Sequence, residues 1–212
     1  MCIRDRELIE EASKVLRTPP PEFDFENPPE DPKEIETNLS SAMEQFGGIG
    51  LSANQVGLNY RVFVMRTADN GTVAFFNPEI TKVSQETDLM KEGCLSFPDL
   101  YLMIKRSKEI EFKYQNADGE EKVLHLTGLG ARCVQHECDH LNGILFLQRA
   151  SRLKLERALK SRPKERKKRI DYETRIAYAR AIQERESLTA SESDNGEGIE
   201  RTDSVSEETL AS

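Results

Sequence analysis

The stretch Gln135-His136-Glu137-Cys138-Asp139-His140 decides how the rest of the chain is read. Residues four apart on an α-helix lie one turn apart on the same face, so on a helix His136 and His140 can grip one metal ion. Glu137 projects beside them, near enough to handle the proton of a water held there. The plainer reading is a solvated helix on which two histidines cap or pair. The chain has only three histidines, however, and two fall in this motif. A catalytic centre of this kind also needs a third protein ligand, an open position and a pocket. The motif is too short to stand without them.

Outward from the motif, the pattern is helical from about Leu129 to Leu141, and Gly143 suits a C-terminal cap. Before it, Ile110, Phe112 and Tyr114 alternate, Asn116–Gly119 is a turn, and EKVLHL (121–126) reads as a second strand. YRVFVMR (60–66) and TVAFFNPEI (72–80) flank another turn at 68–71. Paired hairpins of this kind predict antiparallel sheets, with the motif on a helix that follows them. Nearer the N-terminus, Leu8, Ile9, Ala12, Val15 and Leu16 predict a short amphipathic helix over 5–17. A proline-rich loop follows. Asp31 then suits an N-cap and Pro32 the first helical position, and Glu34 sits where a capping-box acid would. Ile35, Leu39, Ala42, Met43 and Phe46 mark one face of that helix, which ends at Gly47-Gly48.

The 212 residues favour one substantial core with extensions over two full domains. Hydrophobic residues are only 37% and charged residues 32%, which predicts that part of the chain does not pack. That part lies beyond residue 150. LKLERALK is helix-forming, Pro163 is expected to interrupt it, KERKKR is strongly basic, and DYETRIAYARAIQERE can form a further helix. From Ser187 the chain is acidic, small and without aromatics, and is expected to be disordered. The net charge of −8 argues against general nucleic-acid binding, so no DNA partner is expected. The four cysteines are too few and too scattered for a disulfide scaffold, which favours reduced thiols and a cytoplasmic protein. No secretory signal is read at the N-terminus, and no apolar run approaches a membrane span, so no membrane partner is expected.

Three cysteines compete to complete the metal set. Cys94, in Glu92-Gly93-Cys94-Leu95-Ser96, follows a strand-like region in a loop that can face the helix. Cys133 lies three residues before His136 and can share its face. Cys138 points away from both histidines and reads as packing. A further element, Gly48-Ile49-Gly50-Leu51-Ser52-Ala53-Asn54-Gln55, follows one helix. Its glycines admit a substrate backbone, and the Gln55 amide can polarise a carbonyl. Taken alone, it is no more than a turn.

In this order, GIGLSANQ, EGCLSFP and QHECDHLNG resemble the three motifs of the peptide deformylase family. The resemblance covers roughly residues 8–155 and implies an α+β fold with antiparallel β-sheets packed around a central helix that carries HExxH. It implies a catalytic domain over 1–155, leaving a basic helical extension over 156–186 and an acidic tail over 187–212. It implies Cys94, His136 and His140 as ligands of one divalent metal, ferrous iron above nickel, cobalt or zinc. Glu137 is then the general base and acid. Gln55 and the backbone N–H of Leu95 form the oxyanion hole, and Ile49, Gly50 and Gly93 line the substrate cleft. The implied activity is hydrolysis of the formyl group from N-formylmethionyl nascent peptides, releasing formate. Val134, Leu129 and Phe97 are candidates for a methionine pocket. Family members usually carry alanine where Ser52 stands, and its hydroxyl is expected to touch local packing only.

Two other classes fit parts of the sequence. An HExxH peptidase shares the glutamate and histidines but not the other two motifs. A metal-stabilised or ribosome-associated binding module draws on KSRPKERKKR, whose lysines and arginines can meet phosphates. The plainer reading of that segment is a solvated helix face. An enzyme that also contacts the ribosome through its basic C-terminal region would combine the two.

Overall fold

Gly50–Ser52 (β1) starts a five-stranded antiparallel sheet. The sheet continues through Val62–Arg66 (β2), Thr72–Val83 (β3), Glu109–Gln115 (β6) and Glu121–Thr127 (β7), in the order β1-β2-β3-β6-β7. Between β3 and β6 the chain forms a separate hairpin from Thr87–Cys94 (β4) and Phe97–Ser107 (β5). The computed structural model describes residues 7–194. Both expected hairpins of the larger sheet are present. β4 and β5 were only partly foreseen, because most of β4 is exposed and shows no clear alternation.

Side chains alternate across a strand, and β2 uses both faces. Val62 and Val64 join Ile35, Leu39, Met43, Leu51 and Phe76 in a cluster with Pro32–Gln45 (α1). Phe63 joins Phe75, Phe112, Val134 and Leu141 in a second cluster with Gly128–Leu141 (α2). α1 therefore lies on one face of the sheet and α2 on the other. Each fully buried phenylalanine contributes roughly 1.5–3 kcal/mol. α2 also meets the β4–β5 hairpin: Arg132 donates to the Ile104 carbonyl at 3.1 Å and Gln135 to that of Ser107 at 2.9 Å. The motif helix is thus held between two antiparallel sheets, as expected. Asp31 caps α1 by accepting from the Lys33 N–H at 2.9 Å.

The N-terminal helix expected over 5–17 is not formed within the described part; only Val15–Arg17 makes a 3₁₀ turn. Tertiary contacts override the local periodicity here. The Ile9 N–H bonds the Gln55 carbonyl at 2.8 Å, and Leu16 is buried against Phe97, Leu100, Leu102, Ile104 and Phe146.

Pro163 does not interrupt the chain either: Arg152–Asp194 (α3) is one helix with Pro163 inside it. A proline removes one helical hydrogen bond, and a long exposed helix of strong helix formers can absorb that loss. The helix also carries residues 187–194, where disorder was expected; the rest of that tail lies outside the described residues.

Packing divides the chain at Glu165. The first unit extends past 155 because Leu155 and Ala158 pack on the Leu16 cluster. In addition, Arg162 pairs with Glu11 and donates to the Pro98 carbonyl at 2.9 Å. In the second unit the helix exposes Ile170, Tyr172, Ile176 and Tyr178, and Arg169 pairs with Glu173 one turn on. Among the described residues, no helix is long and apolar enough to cross a membrane.

Candidate metal centre

Residues 92 and 94 share one face of β4, and that face looks onto α2. Cys94, where β4 turns into β5, places its Sγ 3.2 Å from Nε2 of His140. His136, one turn earlier, completes the group: ligand atoms of Cys94, His136 and His140 all lie within 4.8 Å of one another. Nδ1 of His136 donates to Oε2 of Glu92 at 3.1 Å, which leaves its Nε2 for the group. One thiol and two imidazoles, close enough for a single ion to touch, form a donor set that suits a divalent metal with one position left open. Among the described residues, Nδ1 of His140 is buried without a hydrogen-bond partner.

Of the rival cysteines, neither joins this group. Cys133 faces the Ile49 carbonyl at 3.8 Å. Cys138 packs among Phe63, Phe75 and Phe112, as its helical position predicts. Burial pushes the Cys138 thiol up to about 12 and that of Cys133 well above the usual range. Both are inert thiols near neutral pH.

Glu137 is buried beside the histidines. Gly50 of β1 makes room for it: a Cβ there would sit 2.6 Å from Glu137 Oε1 and 2.7 Å from Cys133 Sγ. The Ser52 hydroxyl donates to Glu137 Oε2 at 2.7 Å. Burial raises the proton affinity of Glu137, while His136 and the Ser52 hydrogen bond work against that rise. Burial also pulls His136 down, but its hydrogen bonds to Cys94 and Glu92 outweigh this and lift it to about 10. His140 moves well below its ordinary value, through burial first and then the charges of His136 and Arg106.

Gln55 stands in the 3₁₀ turn after β1, with its amide fixed at both ends. Its Oε1 accepts from the Ser52 N–H at 3.0 Å. Its Nε2 donates to Ser96 Oγ at 3.0 Å and lies 3.5 Å from Cys94 Sγ. The donor end therefore points at the metal group. Asn54 ties the same turn to α2 by donating to the His140 carbonyl at 2.8 Å. Leu95 forms the β4–β5 turn, its side chain packed toward the α1 cluster. The Ile49 side chain is half exposed, and Gly93 lies under the Tyr101 ring.

Of the candidates for a methionine pocket, Val134 and Phe97 are buried in separate core clusters, the packing role that was the plainer expectation for each. Leu129 remains exposed, two turns before Glu137 on the same helical stripe.

A buried charge network backs the site and was not anticipated. Glu92 receives Nε and Nη2 of Arg106 at 2.7 and 3.0 Å and Nη1 of Arg132 at 2.6 Å. Arg106 reaches on to Asp139 at 2.8 Å, which also pairs with Arg149. These pairings hold Glu92 ionised: burial opposes ionisation, but the hydrogen bonds of His136 and Arg106 prevail and bring its pKa to about 2. The one signal in the sequence was the presence of acids inside two motifs, Glu92 beside Cys94 and Asp139 beside His140.

The fold and the site together define a metal-dependent hydrolase of the HExxH kind. Residues 6–156 match the family described as polypeptide deformylase, and the chain belongs to that family. A peptide deformylase of Thermotoga maritima is 49% identical over 119 residues, covering 56% of this chain and 71% of that protein. One from Wolbachia pipientis wMel is 42% identical over 147 residues, 64% of this chain and 82% of its own. Among solved structures, a peptide deformylase from Synechococcus elongatus in complex with actinonin is similar at a TM-score of 0.68. It has 34% identity and covers 76% of this chain and 87% of that one. Members of the family remove the N-formyl group from nascent peptides, and this chain is an enzyme of that hydrolase type rather than a peptidase or a binding module.

Proposed function

We propose that Cys94, His136 and His140 hold one divalent ion, ferrous iron first among nickel, cobalt and zinc, and that Glu137, Gln55 and Leu95 carry out deformylation around it. The observation that carries this reading is the convergence of the three ligand side chains with Glu137 and the donor end of Gln55. When bound, the ion supplies Lewis acidity toward the formyl oxygen and the attacking water. Glu137 takes the proton of that water and returns it to the amine nitrogen as the amide C–N bond breaks, so formate and a free N-terminus leave together. Gln55 Nε2 and the Leu95 N–H donate to the formyl oxygen as charge builds there. Ile49, Gly50 and Gly93 offer backbone groups to the peptide, and Leu129 an apolar contact for its methionine.

The division of labour along the chain follows: the catalytic domain, then the basic helical extension, then the acidic tail. Lys164, Arg166, Lys167 and Lys168 of the extension support contact with ribosomal RNA phosphates. The setting is the cytoplasm of a bacterial-type translation system. Deleting residues 166–212 should reduce salt-sensitive ribosome co-sedimentation and leave peptide turnover intact; unchanged co-sedimentation rejects the contact.

The central test is formate release from formyl-Met-Ala-Ser by protein loaded anaerobically with ferrous iron. Glu137→Ala should bind the metal and release almost no formate. Substantial formate from that variant would remove Glu137 from the role of base.

A further inference from the structure

Ser52 is fully buried at the end of β1, and it touches both polar groups of the proposed chemistry. Its backbone N–H donates to Gln55 Oε1 at 3.0 Å. Its hydroxyl lies 2.7 Å from Glu137 Oε2 and 3.2 Å from the Glu137 backbone carbonyl. A hydroxyl has one proton to give, and the shorter contact, to a carboxylate, is the stronger. The hydroxyl is therefore no mere matter of packing.

The carboxylate of a glutamate turns freely about its last torsion unless something stops it. Here both oxygens are restrained. Oε1 lies against Gly50, in the space a Cβ would take, and Oε2 is held by Ser52. Remove the hydroxyl and only the glycine wall remains. Neither the ligand atoms nor the backbone groups offered to a peptide depend on that hydroxyl.

We propose that Ser52 is a positioning residue for the hydrolysis, its hydroxyl holding the Glu137 carboxylate in the one orientation from which it takes and returns the proton. This rests on Glu137 being the base. Ser52→Ala deletes the hydroxyl and keeps the N–H that fixes Gln55, so it isolates the contact. In the full-length, iron-loaded chain, Ser52→Ala should lower kcat for formate release about tenfold, the worth of one hydrogen bond to a charged group. KM and the metal-to-protein ratio should stay at parent values. In a Glu137→Asp background, where the carboxylate is one carbon too short to meet Ser52, the same substitution should add no further loss.

An unchanged kcat in Ser52→Ala overturns the proposal. So does a fall matched by lost metal, or a loss that persists in full beside Glu137→Asp. A Glu137→Gln control separates the two readings. If it turns over like the parent, the base assignment fails and the positioning role with it. If it is inactive while Ser52→Ala is unchanged, the positioning role alone fails.

Discussion

His136 Nδ1 and Glu92 Oε2 meet at 3.1 Å, and the same carboxylate takes both Arg106 and Arg132. One acid thus orients a proposed metal ligand and pairs with two buried guanidinium groups. Glu92→Gln keeps the shape and removes the charge. Breaking a buried pair from one side costs about 3–5 kcal/mol, and a partner that orients a ligating histidine is worth about 10–100-fold in metal affinity. The variant should show both losses, the first by denaturant melting and the second by metal titration. Parent-like affinity would show that Glu92 serves the fold alone.

Gly50 borders the Glu137 carboxylate more closely than any Cβ allows. Gly50→Ala must therefore push Glu137 or Cys133 aside. Overpacking of this kind costs about 1–3 kcal/mol in stability. Turnover should suffer more, by about a hundredfold, because displacing the proposed base forfeits general acid–base catalysis. Steady-state kinetics beside a melting curve will tell the two apart. A variant that is merely less stable, with parent kcat, would mean that Glu137 finds the same place by another route.

Much of this architecture was legible in the chain. α1 and α2 announced themselves by apolar spacing and capping residues, and the hairpins of the large sheet by alternation around turn residues. The metal group was half legible. His136 and His140 declare a shared face, but helical spacing left Cys94 and Cys133 open, and the resemblance across three motifs chose Cys94. What stayed hidden depends on contacts between distant segments. Nothing local in Leu8–Leu16 says that Ile9 bonds to Gln55 and unwinds the predicted helix. Nothing near Glu92 says that Arg106, Arg132 and His136 all converge on it. Pro163 was read by its usual effect, and a long solvated helix absorbed it.

The choice between the cysteines has a direct test. Cys94 is 3.2 Å from His140 Nε2, whereas Cys133 faces the Ile49 backbone carbonyl at 3.8 Å. Cys94→Ser should lose most of its bound metal at equal loading, and Cys133→Ser should keep it. Treating the parent with a chelator should abolish formate release, and anaerobic ferrous iron should restore it. Full metal content in Cys94→Ser would move the third ligand elsewhere.

The end of the first unit can be placed by truncation. A chain cut after Glu165 retains Leu155 and Ala158 on the Leu16 cluster and Arg162 against Glu11 and the Pro98 carbonyl. A chain cut at 155 loses Ala158 and Arg162 and leaves Leu155 at a frayed end. The ion pair is partly exposed and contributes little. Lost apolar burial and the open carbonyl bring the total to about 2 kcal/mol. In a domain of this size that corresponds to a drop of roughly 4–8 °C in Tm. The cut after Glu165 should melt with the parent, because Leu155, Ala158 and Arg162 keep all their partners within the first unit. Calorimetry on the three chains decides it. Equal Tm for the two truncations would put the boundary at 155 after all. A fall after cutting at Glu165 would mean that the distal helix stabilises the catalytic unit.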